Sequence, residues 1–267
     1  MTNGHPPLFS GYALDLDGTV YLGDELLPGA AETVQRLRSG GAKIVFITNK
    51  PLETAQRYAA KLTALGIPAE PDDVITAVEA LVHYLRERHR DRRLLLVSEE
   101  VVAERLAAEG FRLTDDPAEA DVVVVAFDRT FSYAKLHAAF RAIRENGAVI
   151  VATNPDAYCP TPDGGLPDCA AMLAAIEACT GARAEAVVGK PSRFMAEAVL
   201  ARLGVAAAEV AVVGDRLTTD VVMGQSVGAA GILVLTGATS AAAASENGVK
   251  PDYVLDGISQ LLPSSRA

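Results

Sequence analysis

Short β-branched runs alternate with helical stretches along the whole chain, and that alternation leaves few folds open: an α/β architecture with parallel sheets. Residues 12–16 form the first strand. A helix opening at Pro28 is closed by Gly40 and Gly41, as proline at a helix start and glycine past its end require. A strand at 43–47 and a helix at about 52–65, ended by Gly66, follow. The stretch from Pro68 to Pro71 then breaks the pattern. A second series has strands at 94–97, 121–127 and 148–152 and a helix at 133–145. After Gly189 the rhythm resumes with a helix at 193–203, a strand at 210–213, a helix after Leu217 and a strand at 232–235. These last units need the early strands to complete a sheet. The simplest topology is a discontinuous core, 1–75 plus 188–267, interrupted by an inserted α/β domain at 76–187.

The chain's 267 residues suffice for two ordinary domains, each with its own core. Its formal net charge of -10 argues against a nucleic-acid or anionic-membrane binder, since both need a basic surface. Residues 76–187 hold 12 Lys/Arg against 18 Asp/Glu and the remainder 12 against 16, so neither part is basic. Any phosphate site must be local. Cys159, Cys169 and Cys179 form no C-x-x-C pair, which fits a reduced compartment. With no charged-then-apolar leader and no apolar run long enough to span a bilayer, a cytoplasmic location is expected.

The chemistry concentrates where strands end. Asp15-Leu16-Asp17-Gly18-Thr19 closes the first strand, and open parallel sheets bind ligands at the carboxyl ends of their strands. Both aspartates reach that edge only if Asp17 lies on a turn. Two close carboxylates repel unless a cation or a shared proton relieves them, so the pair points to a metal, a proton transfer or both. Alone, Asp17-Gly18 also reads as a hairpin turn. Thr48-Asn49 ends the second strand, although such a pair is also an ordinary helix cap. Lys190, in Gly189-Lys190-Pro191, stands just before a helix, where a solvated surface charge is the plain alternative. Gly214-Asp215 ends the 210–213 strand and Asp220 follows, a pattern that a simple turn also explains. Four signals in this order, each at a strand end or helix start, outweigh their separate alternatives.

Together with Arg216-Leu217-Thr218-Thr219, these segments resemble the haloacid dehalogenase superfamily, over nearly the whole chain. More narrowly they resemble its nitrophenylphosphatase-like branch, which carries a large α/β cap between the second and third motifs; Thr153-Asn154-Pro155-Asp156 in the insert is similar to that branch too. The resemblance implies a Rossmann-like core and hydrolysis of a small phosphomonoester. Asp15 would be the nucleophile and Asp17 the acid/base. Magnesium would be held by the carboxylates of Asp15 and Asp215 and the Asp17 carbonyl, with Asp220 orienting metal-bound water. Gly18, Thr48, Asn49 and Lys190 would bind phosphate. Residues 19–27 would be the hairpin flap after the nucleophile, and Asn154 and Asp156 would meet the leaving group. Pairing of two copies through their caps is a further implication.

Two departures from the branch stand out. Lys50 follows Thr48-Asn49 where a second Asn is common, and Leu166-Pro167-Asp168-Cys169-Ala170 replaces a glycine-rich run. Cys169 reads as a small packing residue, and His5, His83, His89 and His137 show no metal-ligand grouping. The competing functions are a phosphoryl-transfer mutase, whose cap type differs; carbon-halogen cleavage, which Asp17 disfavours; and a catalytically silent phospho-ligand sensor, which would dispense with one of Asp15, Asp17, Lys190 or Asp215.

Overall fold

A computed structural model describes residues 5–161, 164–246 and 248–262, and the alternation in the sequence becomes two parallel sheets with helices. Strand β1 (Gly11–Asp15) leads through a small hairpin, β2 (Tyr21–Leu22) and β3 (Glu25–Leu26), to helix α1 (Ala30–Ser39), then β4 (Lys43–Thr48), α2 (Ala55–Ala64) and β5 (Val74–Thr76). The insert supplies α3 (Ala77–Arg88), β6 (Arg93–Val97), α4 (Glu100–Ala108), β7 (Arg112–Leu113), β8 (Val122–Val125), α5 (Tyr133–Asn146) and β9 (Val149–Ala152). A hairpin of β10 (Tyr158–Thr161) and β11 (Gly164–Pro167), helix α6 (Cys169–Thr180) and β12 (Ala184–Val187) complete it. The chain returns with α7 (Arg193–Leu203), β13 (Val210–Gly214), α8 (Val222–Ser226), β14 (Ala230–Val234), α9 (Ala241–Glu246) and β15 (Tyr253–Leu255).

By its internal contacts the chain forms two compact units. The first comprises Met1–Thr48, Ala55–Ile75 and Lys190–Ala267, the second Asn49–Thr54 and Thr76–Gly189. This differs from the boundaries expected from the sequence in two places. Residues 188–189 stay with the insert because the Val188 N–H donates to the Ala152 carbonyl at 2.9 Å and the Gly189 N–H to that of Thr153 at 2.6 Å, prolonging the β12–β9 pairing. Residues 49–54 join the same unit, where the Asn49 amide donates to Asp156 at 2.8 Å.

The first unit's sheet runs β15-β14-β13-β1-β4-β5, parallel from β15 to β4. β1 and β13 are buried at every residue, which is why they read as continuous apolar runs rather than alternating ones. Their side chains pack with Phe46, Val34, Leu37 and Leu62 from neighbouring elements. The second sheet, β12-β9-β8-β6-β7, is parallel throughout and packs Val123, Val125 and Ile150 against Ala139 and Ile176. The α/β class expected from the sequence is the one observed. Among the described residues, no helix is long and apolar enough to cross a membrane.

Some elements differ from expectation. Residues following Leu217 first make a wide π-type turn, Leu217–Val221, before α8 begins. The β10–β11 hairpin was not anticipated, since its Pro and Gly content reads as loop. Gly165 allows a close approach inside it: a Cβ there would stand 2.9 Å from the Tyr158 ring.

Core depth makes a direct prediction. Phe46→Ala empties a fully buried position and is expected to cost about 3–5 kcal/mol in denaturant unfolding. Leu22→Ala, at an exposed hairpin position, should change stability by no more than about 0.5 kcal/mol.

Candidate active site

Parallel β13, β1 and β4 end side by side, and each contributes a polar residue at its carboxyl end. Asp15 is the last residue of β1, Thr48 the last of β4, and Asp215 follows Gly214 at the end of β13. All three are buried. After Asp15 the chain turns at once: the Leu16 carbonyl accepts from the N–H groups of Val20 at 2.9 Å and Tyr21 at 3.1 Å. Asp17 therefore sits on a turn and is only partly buried, which resolves how both aspartates share one edge. Gly18 adopts φ +86° there, and a Cβ would meet Asp215 Oδ2 at 2.7 Å. Both its conformation and its closeness to Asp215 exclude a side chain. The Thr19 hydroxyl donates to Asp15 Oδ2 at 3.2 Å.

Lys190 enters this cluster from the start of the returning segment. Its Nζ donates to Asp15 Oδ1 at 2.5 Å and to Asp220 Oδ1 at 2.7 Å, with all three side chains buried. The wide turn at Leu217–Val221 directs Asp220 inward, where its Oδ2 accepts from the Arg216 N–H at 3.2 Å and the Thr219 hydroxyl at 3.4 Å. Gly214 leaves the room: a Cβ on it would lie 2.1 Å from Asp220 Cγ.

Sequence reasoning missed a further contributor, the Thr236 to Thr239 segment after β14. The Ala238 N–H donates to Asp215 Oδ2 at 2.6 Å, the Thr239 N–H to the Asp215 carbonyl at 3.2 Å, and the Thr236 hydroxyl to the Gly18 carbonyl at 2.6 Å. A Cβ on Gly237 would come within 2.1 Å of Asp215 Oδ2. The available signal was positional, since Thr-Gly at the end of a parallel strand is the same kind of feature as the other motifs.

Electrostatics set what this pocket can hold. One oxygen from each of Asp15, Asp215 and Asp220 lies within 4.8 Å of the others. Burial pushes Asp15 up to about 6, with Lys190 opposing the rise and Asp215 and Asp17 adding to it. Burial likewise raises Asp220 to about 6 and Asp215 above its usual range. Lys190 stays protonated because the attraction of Asp15 and Asp220 outweighs its own desolvation. One ammonium facing three buried carboxylates leaves negative charge that a cation would neutralise. The donor set is all oxygen, which suits a hard divalent ion such as magnesium.

The other predicted residues gather in the second unit. Asn154, fully buried after β9, donates from Nδ2 to Asp156 Oδ2 at 2.9 Å and to Asp168 Oδ1 at 3.1 Å, while its own Oδ1 accepts from the Thr153 hydroxyl at 2.7 Å. Asn49 is bonded to this same Asp156, so among the residues expected to bind phosphate it is grouped with the cap residues. Asp168, a departure from the family pattern, caps α6 by accepting the Cys169 N–H at 2.6 Å. Burial raises Asp168, and the charge of Lys50 opposes that rise. Cys169 is buried, its thiol pushed up to about 11 and donating to the Val125 carbonyl at 3.3 Å, as a packing residue should be. His89 Nε2 lies within hydrogen-bond distance, 2.7 Å, of a Glu185 carboxylate oxygen.

The raised Asp15 makes a pH prediction. In the metal-free protein its proton is held more tightly folded than unfolded, so stability is lost as pH rises from 3.8 to about 6. Asp15→Asn lacks that ionisation. In chelator, the variant's Tm relative to the native chain should therefore climb across this window and level off above it; a difference constant with pH would contradict the assignment.

Comparison with known proteins identifies the family. The family model described as haloacid dehalogenase-like hydrolase matches residues 12–112, and a second HAD-hydrolase-like model matches 187–261. The chain is 37% identical to the sugar-phosphatase AraL of Bacillus subtilis, over 93% of this chain and 90% of that one. It is 32% identical to the 5'-nucleotidase YutF of the same organism, over 96% and 98%. The crystal structure of a 4-nitrophenylphosphatase from Thermotoga maritima superposes with a TM-score of 0.89 at 35% identity, covering 95% of this chain and 96% of that one. The chain thus belongs to the haloacid dehalogenase-like hydrolases and is a phosphatase of that family.

Proposed function

We propose that the chain catalyses magnesium-dependent hydrolysis of a small phosphomonoester through a phosphorylated Asp15. The observation that carries this reading is the buried cluster in which one ammonium, Lys190, meets Asp15 and Asp220 while an Asp215 oxygen lies within 4.8 Å of an oxygen of each. A nucleophilic carboxylate, a fixed cation and room for a divalent ion are what phosphoryl transfer needs.

Asp15 and Asp215, with the Asp17 backbone carbonyl, would hold magnesium. By the family resemblance Asp220 would stand behind the direct ligands, holding Lys190 through Oδ1 and accepting from Arg216 and Thr219 at Oδ2. When bound, the ion neutralises charge on the transferring phosphoryl group.

In the first step an Asp15 oxygen bonds to phosphorus while the bond from phosphorus to the ester oxygen breaks. The leaving oxygen keeps that electron pair and takes the Asp17 carboxyl proton. In the second, Asp17 removes a proton from water, the water oxygen bonds to phosphorus, and the Asp15 carboxylate departs, leaving inorganic phosphate. Lys190, Thr48 and the Asp17 backbone N–H hold phosphoryl oxygens during both steps, whereas the Gly18 N–H, bonded to the Tyr21 carbonyl at 2.8 Å, is not part of that set.

Relatives named for sugar phosphates, nucleotides and nitrophenyl phosphate support small phosphomonoesters as the substrate class. Choice within the class falls to the inserted unit, with Asp156, which receives the amides of both Asn49 and Asn154, as the residue to vary.

The test is phosphate release from 4-nitrophenyl phosphate and a panel of phosphomonoesters. Native protein should require magnesium, and Asp15→Asn should lose about 1,000-fold or more. Gly214→Ala, which displaces Asp220 and with it Lys190, should lose roughly 100-fold in kcat. Undiminished turnover in chelator, or by Asp15→Asn, would sink the proposal.

A further inference from the structure

The hairpin after the nucleophile strand is too small to hold itself in place: β2 and β3 have two residues each, and far longer isolated hairpins are marginal in water. Its root is fixed by the backbone. The Gly18 N–H donates to the Tyr21 carbonyl at 2.8 Å and the Leu27 N–H to that of Val20 at 3.0 Å, and Tyr21 is buried. Its tip, Leu22 to Asp24, is exposed.

There one side chain from outside the hairpin makes three contacts at once. The Lys61 ammonium, in the last turn of α2, donates to the Gly23 carbonyl at 2.8 Å, pairs with the Asp24 carboxylate at 3.0 Å and stands 4.4 Å from the centre of the Tyr21 ring. Asp24 is nearly fully exposed, so its ion pair contributes little; the carbonyl bond and the cation over the aromatic face carry the restraint. Tyr21 in turn is bridged through its backbone to Asp17, and the Asp17 charge acts on the Tyr21 phenol. Contacts thus run without a gap from Lys61 through Tyr21 to Asp17.

We propose that Lys61 is a positioning residue for the proton-transfer steps: by tying the hairpin to α2 it fixes, through Tyr21, the backbone that carries Asp17. This rests on the reading of Asp17 as the acid/base. Lys61 would act through that backbone and not by contact with substrate or metal. Its effect should therefore appear where protonation of the leaving oxygen limits the rate, and not where the leaving group departs unaided.

Phenyl phosphate and 4-nitrophenyl phosphate have nearly the same shape and differ in how much their leaving oxygen needs a proton. Native enzyme, Lys61→Met, Lys61→Arg and Asp17→Asn are compared on both, with magnesium present. Lys61→Met keeps the apolar stem and removes the ammonium. It should lose about tenfold in kcat on phenyl phosphate, a fraction of what general acid catalysis typically supplies, and less than about threefold on the nitrophenyl ester. Lys61→Arg should restore most of the loss, and amide exchange at residues 18–27 should quicken in Lys61→Met alone. Equal losses on the two esters, or none, would overturn the role of Lys61 if Asp17→Asn keeps a selective loss on phenyl phosphate. Should Asp17→Asn itself lose equally on both, the acid/base reading fails and this inference with it.

Discussion

Everything in the first unit is arranged around one ammonium held out of water between two carboxylates. An ion pair of this kind is a poor source of stability, because desolvating the charges costs about as much as their attraction returns. Its value lies in preorganisation. Lys190 keeps Asp15 charged in a place that would otherwise neutralise it, and Asp220 fixes the lysine from the far side. The neighbouring backbone is shaped to permit this. Gly214 stands aside for Asp220, and Gly18 and Gly237 stand aside for Asp215. None of the three tolerates even a methyl group without moving a charged side chain.

Sheet topology explains how residues so far apart in sequence reach the same place. In a parallel sheet every carboxyl end lies on one edge, so the ends of β1, β4 and β13 converge whatever lies between them in the chain. The insertion after β5 therefore separates the motifs along the sequence by more than a hundred residues without disturbing their geometry. Asp15 and Thr48 stand on their own buried strands, and Asp215 directly follows one. That is a stiffer mounting than a loop provides.

The features legible in the sequence were those whose physical signal is local. Fully buried parallel strands declare themselves as continuous apolar runs, and Asp15, Thr48 and Asp215 stand at or just past the ends of such runs. Helix α7, expected at 193–203, runs Arg193–Leu203 between a Ser192 cap and Gly204. What escaped depended on partners distant in sequence. Gly237 matters only because Asp215 lies against it, and Thr236 only because the Gly18 carbonyl does. The wide turn at Leu217–Val221 carries no glycine or proline to mark it, and its shape follows from Asp220 bonding back to Arg216. The affiliation of Asn49 was equally hidden: one residue past Thr48, the chain passes into the other unit. Asp168 appeared as a loss of loop glycines, yet in the fold it caps α6 and accepts from Asn154.

The pairing of β1 with β13 has a further consequence. These two strands lie nearly two hundred residues apart, yet Gly11 to Leu14 run in register with Val210 to Val213, and this ladder joins the chain's opening segment to its closing one. Continuity of the polypeptide through the insert is not what keeps the two halves of the first unit adjacent. Their shared seam does. A protein built this way is a natural candidate for division into complementary fragments, with the break placed inside the insert and the clustered carboxylates and their lysine reassembled by strand pairing alone.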